Sequence, residues 1–490
     1  MKALIIAAGD GTRMQPVTRG RHKSLMSLLG LKIIERVILG AKEAGVYEFV
    51  IVTGYKGKDL RAAVGDGQKY GVKINYVDNP RWEKANGLSV LRAKKYFNEN
   101  FVLLMSDHVF DPNTLVKLMR LKLKDRECAL AIDRKLGSVL DVSDTTKTMI
   151  NKGKVSAIGK KLEKYNAYDT GMFLCSPYIF EVLEKTTRVG KNSLTNGTSI
   201  LASEGMLRIL DIKYRFWADC DTWADIKFAE KKLLSSLAKQ QDGVLSKNFN
   251  RKVSAFISKF LIKTSISPNM ISYSIPLLGV LTFFMLATGV YPWLIFGGVL
   301  IQLMSILDGC DGEIARLRFL RSKFGGFLDA NLDKYVDTLA IAGMTLGYLR
   351  VTGNQWILPI SLFVVFALGL DGYMPMKFKV LSRRRLTFGA PQFINFKRDL
   401  RLLVLALGAI FNQLMLSLLI LLAIYHLKVV IRLISAKRLT DELGAQQATK
   451  KLAKTKPVVV SLIASKKLTE DELMVEAPSE KSLRPFHFES

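Results

Sequence analysis

The pattern of apolar and polar positions divides the chain into two parts of different character. In the first part, an apolar run at 2–8 is followed by a glycine loop, an amphipathic stretch at 33–44 and another apolar run at 49–55. This order is typical of βαβ winding. Further strands are predicted at 73–77, 101–106, 129–132 and 170–175. Residues 1–235 are therefore predicted to form an open, mostly parallel, Rossmann-like α/β sheet, with ligands at the carboxyl ends of its strands.

The second part is dominated by long runs without charged side chains. No Asp, Glu, Lys or Arg occurs from Met270 to Leu307, which predicts spans near 270–289 and 291–307. Later spans are predicted after Asp333, at 351–370, and as two helices that turn near Phe411–Asn412. Residues 268–435 are therefore predicted to be an all-α transmembrane domain of six helices. An even number of spans places both soluble ends on one side, and the basic residues there predict the cytoplasm.

The segments on either side of the helical domain are polar or basic. Within the linker at 236–267, the stretch 247–263 has apolar residues at helical spacing and five basic residues. This pattern favours an amphipathic helix on an anionic membrane surface over a soluble linker helix. Residues 436–490 carry no motif, and their mixed charge predicts a mostly disordered tail.

Composition narrows the possible partners. The chain has 72 basic against 43 acidic residues, a formal charge of +29 and a mean hydropathy of +0.18. Such a charge suits nucleic acid, anionic lipid headgroups or phosphorylated substrates. No long basic run with interleaved aromatic residues occurs in the first part, so we expect no nucleic acid partner. Four cysteines without CxxC spacing favour a reducing compartment and no structural zinc.

Four carboxylates follow the first uncharged run. Asp308 and Asp311 are three residues apart, and Asp329 and Asp333 are four apart, so each pair lies on one helical face. Acids at the mouth of an apolar segment repel one another unless a cation neutralises them. Oxygen ligands without His or Cys suit Mg²⁺ or Mn²⁺. The alternative is a set of solvated helix ends.

The full pattern at these acids resembles the CDP-alcohol phosphotransferase signature. It reads Asp308-x-x-Asp311-Gly312-x-x-Ala315-Arg316, then Gly325-x-x-x-Asp329-x-x-x-Asp333. The resemblance implies that an alcohol phosphate passes from a CDP-alcohol to an acceptor hydroxyl while CMP leaves. It also implies metal binding by the first three acids, with Asp333 as the base, although a fourth ligand role stays open. By the same resemblance, the donor is contacted by Asn269, Gly312, Ala315, Arg316 and Gly325.

A charged patch near the last helix pair offers a place for the acceptor. Arg398 and Arg401 follow a basic stretch and precede a long uncharged run. The planar guanidinium fork suits a phosphate better than a lysine does, which predicts a cradle for an acceptor phosphate. The alternative is that both arginines extend to lipid headgroups.

The loop after the first predicted strand has the composition of a phosphate-binding loop. Gly9 and Gly11 free backbone N–H groups for phosphate oxygens, Thr12 belongs to the same predicted substrate-binding loop, and Arg13 and Lys23 supply positive charge. A glycine turn alone is as often only a tight turn. The wider string, however, resembles the sugar-1-phosphate nucleotidyltransferase signature, from which it departs at His22, where that family usually has proline. Two phosphates aligned by these cations need no general base.

Two acidic segments complete this resemblance. Asp107 directly follows the predicted strand at 101–106, and Asp219 and Asp221 lie two and four residues after Trp217. The resemblance implies a metal held by these acids, but spacing does not decide between the latter two. A helix cap or turn is the alternative for each acid alone. The resemblance also implies that Asn86 and Ser89 read the base and that Gly171 belongs to the loop over the second substrate.

Together the two halves resemble bifunctional inositol-1-phosphate cytidylyltransferases and di-inositol-phosphate-phosphate synthases. This resemblance implies that CTP and inositol 1-phosphate give CDP-inositol, which then reacts with a second inositol 1-phosphate. It also implies a multi-pass membrane protein among lipids, a homodimer formed through the helical domain, and Mg²⁺ or Mn²⁺ as cofactor. A lipid synthase that uses CDP-diacylglycerol is the first alternative. A membrane anchor or transporter is the second, and the nucleotide-type loop argues against it.

Overall fold

A computed structural model of the protein describes residues 1–14, 18–237, 250–382, 386 and 396–465. These form two compact units, Met1–Gly353 with Lys397–Leu414, and Asn354–Phe396 with Met415–Ser490. Part of the predicted linker, most of the basic stretch before Phe396 and the final 25 residues of the predicted tail lie outside the described residues.

The strands all belong to the first unit. Among the described residues they are β1 Ala3–Ala7, β2 Ser27–Leu28, β3 Leu31–Lys32, β4 Glu48–Thr53, β5 Lys73–Asp78, β6 Phe101–Met105, β7 His108–Phe110, β8 Cys128–Asp133, β9 Lys147–Asn151, β10 Lys154–Gly159, β11 Ala167–Cys175, β12 Leu207–Asp211 and β13 Trp217–Asp219. All the strands predicted from the apolar runs are present at the expected places.

The helices are found in both units. Among the described residues they are α1 Ile33–Glu43, α2 Gly57–Val64, α3 Gly87–Arg92, α4 Pro112–Met119, α5 Tyr178–Arg188, α6 Leu194–Ser203, α7 Trp223–Ser236, α8 Arg251–Leu261, α9 Pro268–Ala287, α10 Tyr291–Leu317, α11 Lys323–Thr352, α12 Ile357–Ser382, α13 Arg398–Ile410 and α14 Leu414–Ser465.

The main sheet is mixed, which corrects the prediction of a mostly parallel one. Its order is β5-β4-β1-β6-β11-β8-β12-β10-β9, and β11 also pairs with β9. Strands β5, β4, β1 and β6 are parallel, as βαβ winding requires, but β11 runs antiparallel to both β6 and β8. The β9–β10 hairpin adds another antiparallel pair. Buried apolar runs do not show strand direction, so the sequence could not predict this change.

Both faces of the sheet are covered by helices. Phe97, Phe101, Phe173 and Phe180 belong to the apolar cluster on one face. On the other face, Phe49 packs in a cluster with α1 and α4 side chains. The carboxyl ends of β1 and β6 stay open at one edge, and the two loops that follow these strands meet there.

Helix α7 begins at Trp223, directly after Thr222. The Thr222 side chain accepts from the backbone N–H of Asp225 at 3.2 Å, and the Asp225 carboxylate accepts from the Thr222 N–H at 2.8 Å. This reciprocal pair is a capping box, which satisfies two N–H groups that a helix start leaves unpaired. The spacing was visible in the sequence. A helix, α8, is present within the predicted amphipathic stretch, and its position on a lipid surface stays a prediction.

The helical part contains six helices after Ser267, α9 to α14, among the described residues. Four of them, α9, α10, α12 and the part of α14 up to Gly444, are long and apolar enough to cross a membrane. Six spans were predicted; α11 and α13 are not among these four, and α13 has 13 described residues. The predicted turn near Phe411–Asn412 is confirmed, since α13 ends at Ile410 and α14 begins at Leu414.

The segment predicted as a disordered tail is partly ordered. Helix α14 continues to Ser465, so residues 436–465 are helical. This corrects the prediction for the first part of that segment. The polar composition of the extension does not oppose a helix, because Ala, Lys, Gln and Leu are all good helix formers.

Within the first unit, the α/β fold is joined to the end of α10 by a shared core. Met14, Leu28 and Cys220 cluster with Ile262 and Leu317. The buried Arg36 guanidinium donates to the carbonyl oxygens of Leu28 at 2.7 Å, Leu29 at 2.7 Å and Leu317 at 3.0 Å. It therefore satisfies a carbonyl that the end of α10 would leave unpaired.

Candidate active sites

The first candidate site lies at the open edge of the sheet, beyond β1 and β6. Lys23 follows the loop after β1, and its buried ammonium forms ion pairs with Asp107 and Asp221. Gly11 has a φ of +61°, and a Cβ there would lie 2.8 Å from the Lys23 side chain. The loop therefore needs glycine at this position to let Lys23 pass beneath it.

Short strands bring the acids of this site together. β7 and β13 are antiparallel, and Asp219 stands opposite His108 in their register. The Nε2 atom of His108 lies 3.5 Å from an Asp219 oxygen and 3.8 Å from an Asp107 oxygen. Ligand atoms of these three residues lie within 4.8 Å of one another. His108 was not predicted from the sequence, although it directly follows Asp107.

The charged groups of this cluster lie close together and are half-buried. Burial opposes the charge of His108, but Asp219 and Asp107 outweigh it and raise the pKa of the imidazole to about 10. For Asp107, burial is likewise outweighed by Lys23, which lowers the pKa of that carboxyl to about 2. The Oδ1 atom of Asp219 is buried and has no hydrogen-bond partner within the described structure. A divalent cation fits this donor set, because it would satisfy that oxygen.

The geometry separates the roles of the two acids that spacing left undecided. Asp219 belongs to the cluster with Asp107, whereas Asp221 forms ion pairs with Lys23 and Arg13. Arg13 also lies 2.6 Å from Asp144, which in turn pairs with Lys160 at 2.7 Å. Asp219 thus lies among the candidate ligands, whereas Asp221 contacts the two cations.

Two residues near this site have tight structural reasons for their identity. His22 replaces the proline that the resemblance led us to expect. Its Nδ1 accepts from the Ser24 N–H, and its Nε2 lies 3.2 Å from the Ala7 carbonyl oxygen, so the buried ring fixes the turn before Lys23. Gly171 has a φ of +74°, and a Cβ there would overlap the His108 ring.

The residues predicted to read the base take part in hydrogen bonds within the fold. The Asn86 Oδ1 accepts from the Leu194 N–H at 2.9 Å, and the buried Ser89 hydroxyl accepts from Asn79 at 3.0 Å. These contacts give both residues a positioning role for α3. Contact with a base stays a prediction.

The second candidate site lies where α10 and α11 meet. Carboxylate oxygens of Asp308, Asp329 and Asp333 lie within 4.8 Å of one another. The Oδ1 atom of Asp308 is buried without a hydrogen-bond partner in the described structure. These oxygens fit a hard divalent cation for the same reason as in the first site. Asp311 lies outside this close group and accepts a hydrogen bond from Ser272 at 2.6 Å.

Arginines from α13 enter this acidic cluster. The Nη1 atom of Arg398 lies 2.9 Å from an Asp308 oxygen and 2.7 Å from an Asp333 oxygen. Its Nε lies 3.4 Å from Asp337, which also pairs with Arg401. Both predicted arginines therefore reach the site. Asp337 was missed by the sequence reasoning, although it continues the four-residue spacing of Asp329 and Asp333.

The other signature residues shape the turn of α10 and the start of α11. A Cβ on Gly312 would lie 3.2 Å from the Arg316 guanidinium, so that side chain folds back over the turn after Asp311. The Gly325 N–H donates to the Ser322 side chain, which caps α11. A Cβ on Gly325 would lie 4.0 Å from the Asn269 side-chain oxygen. Ala315 accepts through its carbonyl from the Leu320 N–H.

Another acid that the sequence reasoning missed is fully buried beside the signature. Glu313 on α10 accepts hydrogen bonds from Ser254 at 2.7 Å and Ser258 at 2.8 Å, and it pairs with Arg251 at 3.0 Å. All three partners lie on α8. Glu313 thus links α8 to α10. In the sequence, the available signal was the pair of serines four residues apart, which lie on one face of α8.

Comparison with known families agrees with both sites. Residues 2–139 match the nucleotidyl transferase family, and residues 265–436 match the CDP-alcohol phosphatidyltransferase family. The chain therefore carries a nucleotidyltransferase domain and a CDP-alcohol phosphotransferase domain, and it is an enzyme with both types of active centre.

Relatives that contain both domains extend over most of the chain. A "Bifunctional IPC transferase and DIPP synthase" of Aquifex aeolicus is 35% identical over 70% of this chain and 77% of its own length. A protein of the same name from Rubrobacter xylanophilus is 32% identical over 83% of this chain and 90% of its own length. Another from Archaeoglobus fulgidus is 31% identical over 85% of this chain and 80% of its own length. A solved inositol-1-phosphate CTP transferase from T. maritima is 24% identical over 47% of this chain and 95% of its own, with a TM-score of 0.43. The chain belongs to the bifunctional IPC transferase and DIPP synthase family.

Proposed function

We propose that the protein makes a di-inositol phosphate in two successive reactions. In the first, CTP and inositol 1-phosphate give CDP-inositol and diphosphate. In the second, CDP-inositol and another inositol 1-phosphate give di-inositol phosphate phosphate and CMP. One observation carries this proposal: a single chain contains both the site around Lys23 and Asp107 and the acid group of Asp308, Asp329 and Asp333. Relatives that contain both domains match most of its length.

The first reaction needs positioning and charge more than proton transfer. The phosphate monoester oxygen attacks the α-phosphorus of CTP, and the bond to diphosphate breaks. Because the attacking group is already an anion, no base is required. Arg13 and Lys23 lie where they can neutralise the phosphates, and Asp221 holds both cations in place.

The second reaction needs a base, because its nucleophile is a neutral alcohol. The acceptor oxygen bonds to the alcohol-side phosphorus of CDP-inositol, the bond to CMP breaks, and Asp333 takes the hydroxyl proton. Arg398 contacts Asp333 and approaches from α13, so a phosphate on the acceptor held by Arg398 would bring its hydroxyl to the base. Arg401 supports the same anion, and Asp337 holds both arginines.

Mg²⁺ or Mn²⁺ is the cofactor that these residues fit. Asp107 and Asp219 would hold it in the first site, beside His108, and Asp308, Asp329 and Asp333 would hold it in the second, with Asp311 adjacent. When bound, the ion neutralises diphosphate charge and so lowers the barrier to loss of the leaving group. In this arrangement Asp333 would be a candidate ligand as well as the proposed base.

The placement in the cell follows from charge and apolar length. We place the chain in the cell membrane as a multi-pass protein, with its α/β domain in the cytoplasm and α8 on the anionic lipid surface. The exposed Phe256 and Phe260 on α8 support this position. Six spans and a homodimer formed through the helical domain remain part of the proposal.

A lipid synthase is the second candidate, because the matched family is named for phosphatidyl transfer. Such an enzyme would use CDP-diacylglycerol with an alcohol phosphate. Its α/β domain would then serve only for docking and would not synthesise the CDP-linked donor. The complete set of cations and acids in the first site argues for a working cytidylyltransferase instead.

Purified full-length protein in lipid nanodiscs separates these possibilities. We expect CTP plus inositol 1-phosphate, with Mg²⁺, to give CDP-inositol as a transient product. In a parallel reaction, CDP-diacylglycerol plus inositol 1-phosphate should give no lipid product. A phospholipid in the second reaction and unchanged CTP in the first would refute the proposal. Replacing inositol 1-phosphate by glycerol 3-phosphate or glucose 1-phosphate tests the identity of the alcohol.

A further inference from the structure

A large cleft lies in the first unit between the α/β fold and the end of α10. Its volume is about 1000 Å³, and its lining includes Lys213, Tyr214 and Arg215 on the turn before β13, and Arg316 and Arg321 beyond the acid cluster. Apart from Arg316, no residue to which the family signatures assign a ligand lines it. It is large enough for a molecule of nucleotide size.

The cleft is strongly basic. Eight basic residues and three acidic ones line it. The acids are already engaged: Asp133 accepts from the Trp217 indole at 2.8 Å, Glu43 pairs with Arg321 at 3.5 Å, and Asp111 caps α4.

Several cations of the cleft lack such partners. In the part of the chain that the structure describes, Lys117, Lys135, Lys213 and Arg215 take part in no ion pair. A concave surface with uncompensated charge of one sign concentrates anions.

The cleft adjoins both active sites. Trp217 and Phe228 line it and also line the smaller pocket that contains Arg13, Asp219 and Asp221. Arg316 also lines the cleft, and it folds over Gly312 in the phosphotransferase signature. An anion in the cleft would therefore lie next to residues that border each of the two sites.

An aromatic side chain on the cleft fits the base of a nucleotide. Tyr214 is 100% exposed, and the neighbouring Lys213 and Arg215 are cationic. An exposed aromatic ring beside cations is the arrangement on which proteins stack a base while they bind its phosphates. Full exposure of a tyrosine ring otherwise has no packing reason here.

We infer that this cleft binds the CDP-alcohol released by the first site and retains it until the second site consumes it. The inference rests on the proposed function. Diphosphate charge would be neutralised by the lysine and arginine side chains, and the cytosine would lie on Tyr214. No covalent step occurs in the cleft. Anionic lipid headgroups share the same phosphate chemistry, so the experiment must distinguish the two sources.

An isotope-dilution experiment tests the inference. Full-length protein in nanodiscs of zwitterionic lipid receives [α-³²P]CTP, inositol 1-phosphate, Mg²⁺ and an excess of unlabelled CDP-inositol. The labelled phosphorus leaves as CMP, so the CMP reports which CDP-inositol was used. With retention, the early specific radioactivity of CMP should exceed that of the CDP-inositol in solution by at least about tenfold, and labelled CMP should appear without a lag.

Charge reversal within the cleft should abolish this excess. This applies to the variant Lys213→Glu/Arg215→Glu and, separately, to Tyr214→Ala. In each, the specific radioactivity of CMP should equal that of the CDP-inositol in solution, and labelled CMP should appear after a lag. Each half-reaction alone, at saturating substrate, should stay within about twofold of wild type, because none of these residues contacts reacting atoms. The matched control is Lys185→Glu/Lys191→Glu, two exposed lysines outside the cleft, which should behave as wild type.

Three results would overturn the inference. One is a lag in wild type, with CMP and dissolved CDP-inositol equal in specific radioactivity throughout. Another is retention that the cleft variants do not change. The third is a loss of binding to phosphatidylglycerol vesicles in those variants with unchanged retention, which would assign the cleft to lipid. Absence of CDP-inositol synthesis, or of its turnover, is a distinct result that refutes the proposed function itself.

Discussion

The Nη1 atom of Arg398 lies 2.7 Å from a carboxylate oxygen of Asp333. The arginine comes from α13 and the acid from α11, and Asp337 pairs with the same arginine from one helical turn further along α11. An anion that binds Arg398 is therefore brought to the carboxylate that we assign as the base.

Replacing Arg398 or Arg401 by Ala should weaken binding of the phosphorylated acceptor by about 2–3 kcal/mol, the scale of a charge-assisted hydrogen bond. The KM for inositol 1-phosphate in the second reaction should rise accordingly, while that for CDP-inositol changes little. Steady-state kinetics with supplied CDP-inositol measure both. The neighbouring Lys397→Ala is the control. Equal losses for donor and acceptor, or no loss, would indicate that these arginines serve lipid contacts or structure.

The base assignment of Asp333 has its own test. Asp333→Asn keeps the size of the side chain but cannot accept the proton, so turnover should fall by roughly 10²–10⁴ with CDP-inositol affinity nearly kept. Asp308→Asn should instead weaken Mn²⁺ and donor binding. Isothermal titration beside turnover compares the two variants. If Asp333→Asn loses Mn²⁺ as severely as Asp308→Asn does, Asp333 is chiefly a ligand and the base lies elsewhere.

Gly171→Ala should impair only the first reaction. The added methyl group would overlap the His108 ring, and alanine would have to adopt the left-handed backbone conformation of Gly171. His108 and the opposing Asp219 must therefore shift. Misplacement of a catalytic group by about 1 Å can cost roughly 10²-fold in rate. Gly159→Ala is the matched control, because nothing lies near its Cβ position. A Gly171→Ala enzyme with normal CDP-inositol synthesis would show that His108 has no part in the site.

The two activities should separate by mutation and share a need for metal. Asp107→Ala removes a partner of Lys23 and a ligand candidate, so CDP-inositol synthesis should stop while turnover of supplied CDP-inositol continues. EDTA should stop both reactions, and Mg²⁺ or Mn²⁺ should restore them. Synthesis by Asp107→Ala at the wild-type rate contradicts the first assignment, and turnover in excess chelator contradicts both.

The sequence predicted the parts that depend on local pattern and fixed spacing. Strand positions followed from apolar runs, and the acids of the second site followed from spacings of three and four. The antiparallel direction of β11 could not be predicted, because a buried strand has the same pattern in either direction.

The residues that were missed depend on contacts between distant segments. His108 joins the first site only because β7 pairs with β13, and Asp337 matters only because α13 brings Arg398 and Arg401 to it. In the sequence, Glu313 is only one more charged residue within the signature. Its role depends on α8, from which Ser254 and Ser258 donate hydrogen bonds to it. The distinction between Asp219 and Asp221 likewise needed side-chain positions.

The stoichiometry of the complete reaction tests the central claim most directly. Purified protein is given CTP, excess inositol 1-phosphate and Mg²⁺, without lipid substrates, and ³¹P NMR follows all phosphorus species to completion. We expect equal final amounts of diphosphate and CMP, two inositol 1-phosphate molecules consumed per CTP, and CDP-inositol that rises and then disappears. Diphosphate without CMP, or CMP formed only when CDP-diacylglycerol is added, would contradict it.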